Sequence, residues 1–489
     1  MAAFFGADEI WSRHDDDARE PVVLAGVMET SGADAGLTEA DFLHSLDELK
    51  ELAKACMMEP VEVVTQQLPR VNAGLYVGSG KAEEIRVTAI GSGAKRVIFN
   101  DTLSPSQIRN LQKALELPVM DRTALILEIF ERRARSREAR LQVELAKLSY
   151  LKPRLIGMWE TQNRQGGASG SMSSKGEGET QLEIDRRTID HRLSDLRREI
   201  KSVAKERELR RQKRQESGLP LVALVGYTNA GKSTVMNALL ERCERGLAAG
   251  SPAGNPAAGN SAAGNPGGNG LPAENDAGTG ADKRKVFEAN MLFATLDTTV
   301  RRITVERGRE FLLSDTVGFI HRLPTALVEA FHSTLEEVTQ ADLLLQIVDG
   351  SDPHCQEHIE VTKKTIGELG AGHIPMITVY NKADLIEPPV SFPRRGSREE
   401  AAGEFRNENL WLSAKDPASI EFLLEAVFEK LDAGMTEREF LVPYHKGQAV
   451  SYLMENAFIL RTEYTDAGTS ITARCDRVVA EKAEKMISG

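Results

Sequence analysis

The chain has 489 residues, with 61 Lys plus Arg against 73 Asp plus Glu, a net charge of −12 and four cysteines. That length holds roughly three or four domains, and the acidic balance excludes a protein that grips nucleic acid over its whole surface while leaving room for a local basic patch. Cys56, Cys243, Cys355 and Cys475 make no CxxC pair, Asp15 to Asp17 replace a basic leader, and no apolar run nears the ~20 residues of a bilayer span, so the expectation is a reduced, cytoplasmic protein without membrane insertion.

Residues 1–120 alternate short apolar runs with amphipathic ones. Val22 to Val27, Val61 to Val64 and Arg96 to Phe99 read as strands, and Phe42 to Met57 carries Leu43, Leu46, Leu49 and Ala53 at helical spacing, which predicts an α/β domain. Val77-Gly78-Ser79-Gly80-Lys81 precedes a helical stretch from Ala82; it lacks a full dinucleotide pattern and reads better as a plain loop than as a phosphate cradle.

Residues 121–217 predict an antiparallel helical hairpin. One helix runs from Arg122 to about Leu155 with Leu141, Leu145, Leu148 and Leu151 on a face, and the other from about Glu183 to Arg214 with Ile189, Leu193, Leu196 and Ile200. The connection, 157–179, is rich in Gly and Ser and is expected as a flexible tip loop. Arg132, Arg133, Arg135, Arg137 and Arg140 crowd the first helix, and Arg207, Arg210, Arg211, Lys213 and Arg214 the second. Such a concentration in an acidic chain suits either a solvated face with i,i+4 pairs or contact with a phosphate backbone.

The domain expected over 218–434 opens on Leu221 to Val225, an apolar strand that runs into Gly226-Tyr227-Thr228-Asn229-Ala230-Gly231-Lys232-Ser233. Glycines at both ends let the backbone curl its N–H groups toward phosphates. Lys232 then reaches the β and γ phosphates, the Ser233 hydroxyl takes a place on Mg²⁺ beside Thr234, and the helix from about Lys232 through Leu240 points its positive end at the same anions. The stretch 245–282 repeats near-copies of Ala-Ala-Gly-Asn-Pro without large apolar residues and predicts a disordered insertion. Phe293 to Arg301 supplies candidates for the rest of the metal shell: Thr299 first, Thr298 second, with Phe293 and Thr295 placed against the nucleotide.

Asp315-Thr316-Val317-Gly318 ends the next strand, where Asp315 holds Mg²⁺ through water and the Gly318 N–H meets the γ-phosphate. Lys232, Thr299 and Gly318 are thus the expected catalytic set. Phe319 stands where many GTPases carry a water-orienting Gln, which predicts slow intrinsic hydrolysis raised by a partner. His354, Cys355 and His358 have no fourth ligand nearby and read against a metal site. Asn381-Lys382-Ala383-Asp384 follows another strand: the Asp384 carboxylate accepts from guanine N1 and N2, Asn381 braces the loop, and the Lys382 stem covers the base. Ser413-Ala414-Lys415 follows, with the Ala414 N–H aimed at the guanine carbonyl. Residues 435–489 predict a small α/β domain: a helix from Lys446 to Asn456, strands at Phe458 to Thr462 and Ser470 to Arg474, and a helix from Arg477 to Ile487.

Together these residues, with Gly178-Glu179-Thr180-Gln181-Leu182-Glu183 and Asp185-Arg186-Arg187 ahead of the phosphate loop, make a chain that resembles the HflX-type GTPases over nearly its whole length. The resemblance implies a GTP/GDP-binding protein, monomeric when free, that binds the large ribosomal subunit and its rRNA and inserts the hairpin loop near the peptidyl-transferase centre. It further implies splitting of stalled or idle ribosomes, with hydrolysis permitting release. Gln162, Arg164, Gly166 and Gly167 through Ser174, and Lys175 become RNA-contact candidates, beside Arg207, Arg210 and Arg211. In this chain Ser174-Lys175-Gly176-Glu177 stands near where the family usually has Arg-Gly-Pro. Two other readings stay open, an RNA-remodelling ATPase and a GTP-dependent switch acting on a protein.

Overall fold

The computed structural model describes residues 19–31, 38–165, 174–215, 219–249, 292–293, 299–305, 309–320, 337–386, 391–396, 409–433, 436–475 and 477–488. The first sheet joins β1 (Glu20–Glu29), β2 (Met58–Leu68), β3 (Arg96–Phe99) and β4 (Val119–Asp121) in the order β2-β1-β3-β4, all parallel. A parallel sheet has to bury both faces, and β1 does so by alternation. Val22 and Leu24 face one core with Leu49 and Leu52 of α1 (Glu39–Ala55), while Val23, Ala25 and Val27 face another. That second core is built with α2 (Ser79–Gly91) and α3 (Pro105–Leu115).

The long helix expected from Arg122 is two helices. In α4 (Arg122–Arg133) residues 122–130 are all buried beneath the first sheet. The chain then turns extended at Ala134, and the Ser136 hydroxyl caps the next helix by accepting from the Ala139 N–H at 3.1 Å. The hairpin is made by α5 (Arg137–Gln165) and α6 (Ser174–Gln215) alone. Its tip is also shorter than the expected 157–179, because helix runs through Gln165 and resumes at Ser174. Glycine costs a helix only about 1 kcal/mol each, too little for Gly157, Gly176 and Gly178 to stop one. Ion pairs lace the two helices together: Arg192 grips Glu144 through two 2.8 Å bonds, and Lys152 meets Asp190 at 2.5 Å. Part of the basic surplus is spent locally, with Arg132 on Glu128 and Arg137 near Glu199.

The second sheet runs β10-β11-β9-β8-β5-β7-β6. Its members are β5 (Leu221–Gly226), β6 (Thr299–Val305), β7 (Arg309–Asp315), β8 (Leu343–Asp349), β9 (Met376–Asn381), β10 (Arg394–Arg395) and β11 (Asn409–Trp411). Only the edge strands β6 and β10 pair antiparallel. One face packs on α7 (Lys232–Ala249) and α9 (Pro417–Asp432), and α8 (Cys355–Glu368) covers part of the other. A last antiparallel sheet orders β12 (Thr436–Val442), β14 (Gly468–Cys475) and β13 (Phe458–Thr465), packed on α10 (Gly447–Asn456) and α11 (Arg477–Ser488). Among the described residues no helix is long and apolar enough to cross a membrane. The insertion expected over 245–282 lies mostly outside them, with α7 continuing to Ala249.

Candidate nucleotide site

The phosphate loop forms where buried β5 meets the start of α7. Gly226 has φ +146°, and a Cβ there would lie 2.1 Å from the Ile347 carbonyl oxygen. Gly231 has φ +93°, with Asn381 Nδ2 only 2.3 Å from any added Cβ. Both positions therefore require glycine. Asn229, exposed at φ +59°, takes the left-handed turn that asparagine tolerates. The Thr228 N–H donates to the Phe319 carbonyl at 2.8 Å, and the Phe319 N–H donates to the Gly226 carbonyl at 3.1 Å. Lys232 is buried, and its ammonium donates to the carbonyls of Gly226 at 3.1 Å and Tyr227 at 2.8 Å. Burial pulls that ammonium down to about 8, with Asp315 opposing. Phosphate oxygens beside it would favour the charged form.

Asp315 ends β7 fully buried and accepts from the Ser233 hydroxyl at 2.9 Å. Two hard oxygen donors in contact fit Mg²⁺, and these residues would hold it. Gly318 is held close to the loop: an added Cβ would come within 2.9 Å of Lys232 Nζ and 2.8 Å of Thr228 Cγ2. Thr299, expected as a metal ligand, opens β6. It pairs with Asp315 across β6 and β7, and its hydroxyl donates to the Met236 thioether at 3.9 Å rather than to the Ser233–Asp315 pair. Thr295 and Thr298 lie outside the described residues. Phe293, expected against the nucleotide, instead packs its ring edge-on to Phe130 of α4 at 4.7 Å. Phe319 is buried in an apolar core with Val225 and Val338, so no polar side chain follows Gly318.

The base loop hangs on Asn381. Its Nδ2 donates to the Ala230 carbonyl and its Oδ1 accepts from the Ala414 N–H, both at 3.0 Å, so one side chain ties the phosphate loop to the Ser413-Ala414-Lys415 turn. That bond takes up the donor the sequence reading aimed at the guanine carbonyl. Lys382 adopts φ +60° and its ammonium meets Asp349 at 2.6 Å, a partner the sequence reading did not single out. Asp384 sits exposed in the short turn Ala383–Leu385, where Lys415 Nζ comes within 3.9 Å of its carboxylate. Ser413 is buried and its N–H donates to the Ser419 hydroxyl at 3.3 Å. Thr234 lies in the first turn of α7.

The remaining candidates fall on the hairpin. Gln162 and Arg164 lie in α5, and Lys175, Arg207, Arg210 and Arg211 in α6, with side chains outside the described residues; Gly166 and Gly167 lie outside them altogether. His354 stacks on His44 at 4.0 Å and His358 stacks on Tyr227 at 3.8 Å. Ligand atoms of Asp41, His354 and Glu357 lie within 4.8 Å of one another. The Asp41 carboxylate already accepts from the Thr38 N–H at 2.9 Å and hydroxyl at 2.7 Å, as a helix cap.

Phosphates at the head of α7 and a base at Asp384 would lie along one edge, at the carboxyl ends of parallel strands, which is how a P-loop GTPase holds its nucleotide. Comparison with known proteins narrows that class. Residues 43–131 match the family described as GTP-binding GTPase N-terminal, 133–214 the GTP-binding GTPase Middle Region, and 221–252 with 277–382 the 50S ribosome-binding GTPase. The GTPase HflX of Caldanaerobacter subterraneus subsp. tengcongensis is 39% identical over 91% of this chain and 90% of its own length. That of Escherichia coli is 37% identical over 88% of each. The chain belongs to the HflX family of GTPases.

Proposed function

We propose that the protein binds the large ribosomal subunit in its GTP form, splits or recycles stalled or idle ribosomes, and leaves on hydrolysis. The observation that carries this reading is the hairpin joined to a guanine-nucleotide site. Helix α6 has 42 residues, which at 1.5 Å per residue is about 63 Å of lever. The family description matched by residues 221–252 and 277–382, 50S ribosome-binding GTPase, supports the same partner. Arg207, Arg210 and Arg211 on α6 suit RNA phosphates, and irregular RNA would be gripped by shape and backbone rather than sequence.

At the site Lys232 would neutralise the β and γ phosphates, Ser233 and Asp315 would hold Mg²⁺, and the bound metal would stabilise charge on the transferring phosphoryl group. Phe319 offers no group to orient water, so hydrolysis would be slow until the ribosome completes the site. A boundary near 217 between hairpin and GTPase domain, cytoplasmic action and a free monomer belong to this reading.

Sedimentation with large subunits in GDP, GTP and a non-hydrolysable analogue tests it, alongside light scattering of intact ribosomes. Co-sedimentation confined to the GTP-like states, with falling scatter, is expected. Equal binding in all three states, or none, would remove the ribosome reading and leave a GTPase with another partner.

A further inference from the structure

The second residue of a phosphate loop contributes its backbone to the phosphates and needs no particular side chain. Here it is Tyr227, and its side chain leaves the GTPase domain. It is buried, and its hydroxyl donates to Glu48 Oε1 of α1 at 2.5 Å. The other Glu48 oxygen pairs with Arg122 at the head of α4, and Arg122 donates in turn to Asn100 Oδ1 at 3.1 Å. Glu48, Arg122 and Asn100 are all buried. The His358 ring lies flat on the tyrosine at 3.8 Å and 11°, closing it in from α8.

The backbone of the same residue is held just as closely. Lys232 donates to its carbonyl at 2.8 Å. Phe319 bonds the residues on either side, through the Gly226 carbonyl and the Thr228 N–H. The loop therefore has little room to change shape at residue 227 while the ring stays in place. Two neighbouring segments share its apolar surroundings. Leu292 and Phe293, ahead of Thr299, and Val317 and Ile320, around Gly318, pack in one core with Ile126 and Phe130 of α4.

We propose that Tyr227 is a positioning residue: through its hydroxyl bond to Glu48, the N-terminal domain holds the phosphate loop in its nucleotide-binding shape, so that nucleotide affinity and domain docking are coupled. This rests on the guanine-nucleotide site and not on the ribosomal partner. A loop already held in its binding shape loses less conformational freedom when nucleotide arrives. Linkage makes the effect reciprocal, so bound nucleotide strengthens the docking by the same factor. The buried Glu48–Arg122 pair supplies the stiffness, since moving the tyrosine strips a buried carboxylate oxygen of its donor.

Tyr227→Phe keeps the ring and the His358 stack and deletes only the hydroxyl. In the full-length chain we expect the dissociation constants of fluorescent GDP and GTP analogues to rise about five- to tenfold, mostly through faster release, as for loss of a hydrogen bond to a charged group. The hydrolysis rate of bound GTP should fall by a smaller factor than affinity, since the hydroxyl meets no reacting atom. Glu48→Gln, which still accepts the hydroxyl, should fall between parent and Tyr227→Phe. The double variant should fall short of the product of the two single losses, because both changes act on the Tyr227–Glu48 bond even though Glu48→Gln also weakens the Arg122 pair. A packing role alone would lower the melting temperature and leave affinities and release rates unmoved; that outcome, or strict additivity in the double variant, overturns the proposal. If the unaltered protein binds no guanine nucleotide, it is the site reading that fails instead.

Discussion

At Gly226 to Lys232 and at Gly78 to Lys81 a lysine follows a glycine-rich turn at the start of a helix, and the two turns do different things. In Gly226 to Lys232 the lysine is buried and folds back onto the loop carbonyls. In Gly78 to Lys81 the first N–H donates to Gln66 Oε1 at 3.0 Å, and the lysine turns outward to Glu84 at 2.7 Å. The lesson is that glycine density only permits a phosphate site. The site exists where burial holds the cation against the loop's own carbonyls, which phosphate oxygens can replace, rather than on a carboxylate.

The sharpest way to break this comparison is to remove each lysine. Lys232→Ala should weaken GDP binding by at least about 100-fold in titration calorimetry, from the loss of charge-assisted bonds to phosphate. Lys81→Ala should leave it within about twofold, its pair being a surface one. Equal losses would mean the second turn also meets nucleotide.

Adding one carbon to each turn comes next. Gly231→Ala forces a Cβ against Asn381 at positive φ, whereas Gly78→Ala meets only the flexible Gln66 amide, at 3.1 Å. We expect about tenfold or greater loss of GDP affinity for Gly231→Ala, and none beyond about twofold for Gly78→Ala.

The first turn also differs in having a base-reading loop beside it. Asp384→Asn should cost GTP roughly 100-fold in competition binding and improve xanthosine triphosphate, whose ring presents an acceptor where guanine has its exocyclic amine. If the guanine preference is unchanged, another residue reads the base.

The last effect is in pH. Lys232 is depressed to about 8 by burial, so the nucleotide-free protein loses that charge as pH rises through 8, while phosphate binding requires it. GDP affinity should be flat below pH 8 and fall toward about tenfold per unit above it. Lys232→Arg, if it still binds, should remove the slope; a slope that persists would have another origin.

Much of the architecture was legible in order along the chain, for a physical reason. Strands such as Val22 to Val27 and Leu221 to Val225 and the motifs that follow them depend on spacing over a few residues, which backbone geometry reads directly. The break at Ala134 was hidden because Arg122 to Leu155 is apolar at helical spacing on both sides of it, and only packing of α4 under the sheet separates them. The tip was overdrawn because glycine was counted as a stop, whereas the helices continue through Gly157 and Gly176. Thr299 was preferred as a metal ligand for its place between the phosphate loop and Asp315, and only the strand register shows that it pairs with Asp315 itself.

By itself the sequence determined that this chain binds a guanine nucleotide: phosphate loop, Asp315 and Asp384 are each a short run whose chemistry follows from residue type and local backbone. Only the tertiary structure decided what the loop is attached to. Tyr227 and Glu48 are 179 residues apart and meet through one hydrogen bond. No local periodicity encodes that contact, because it arises from the docking of two separately folded sheets.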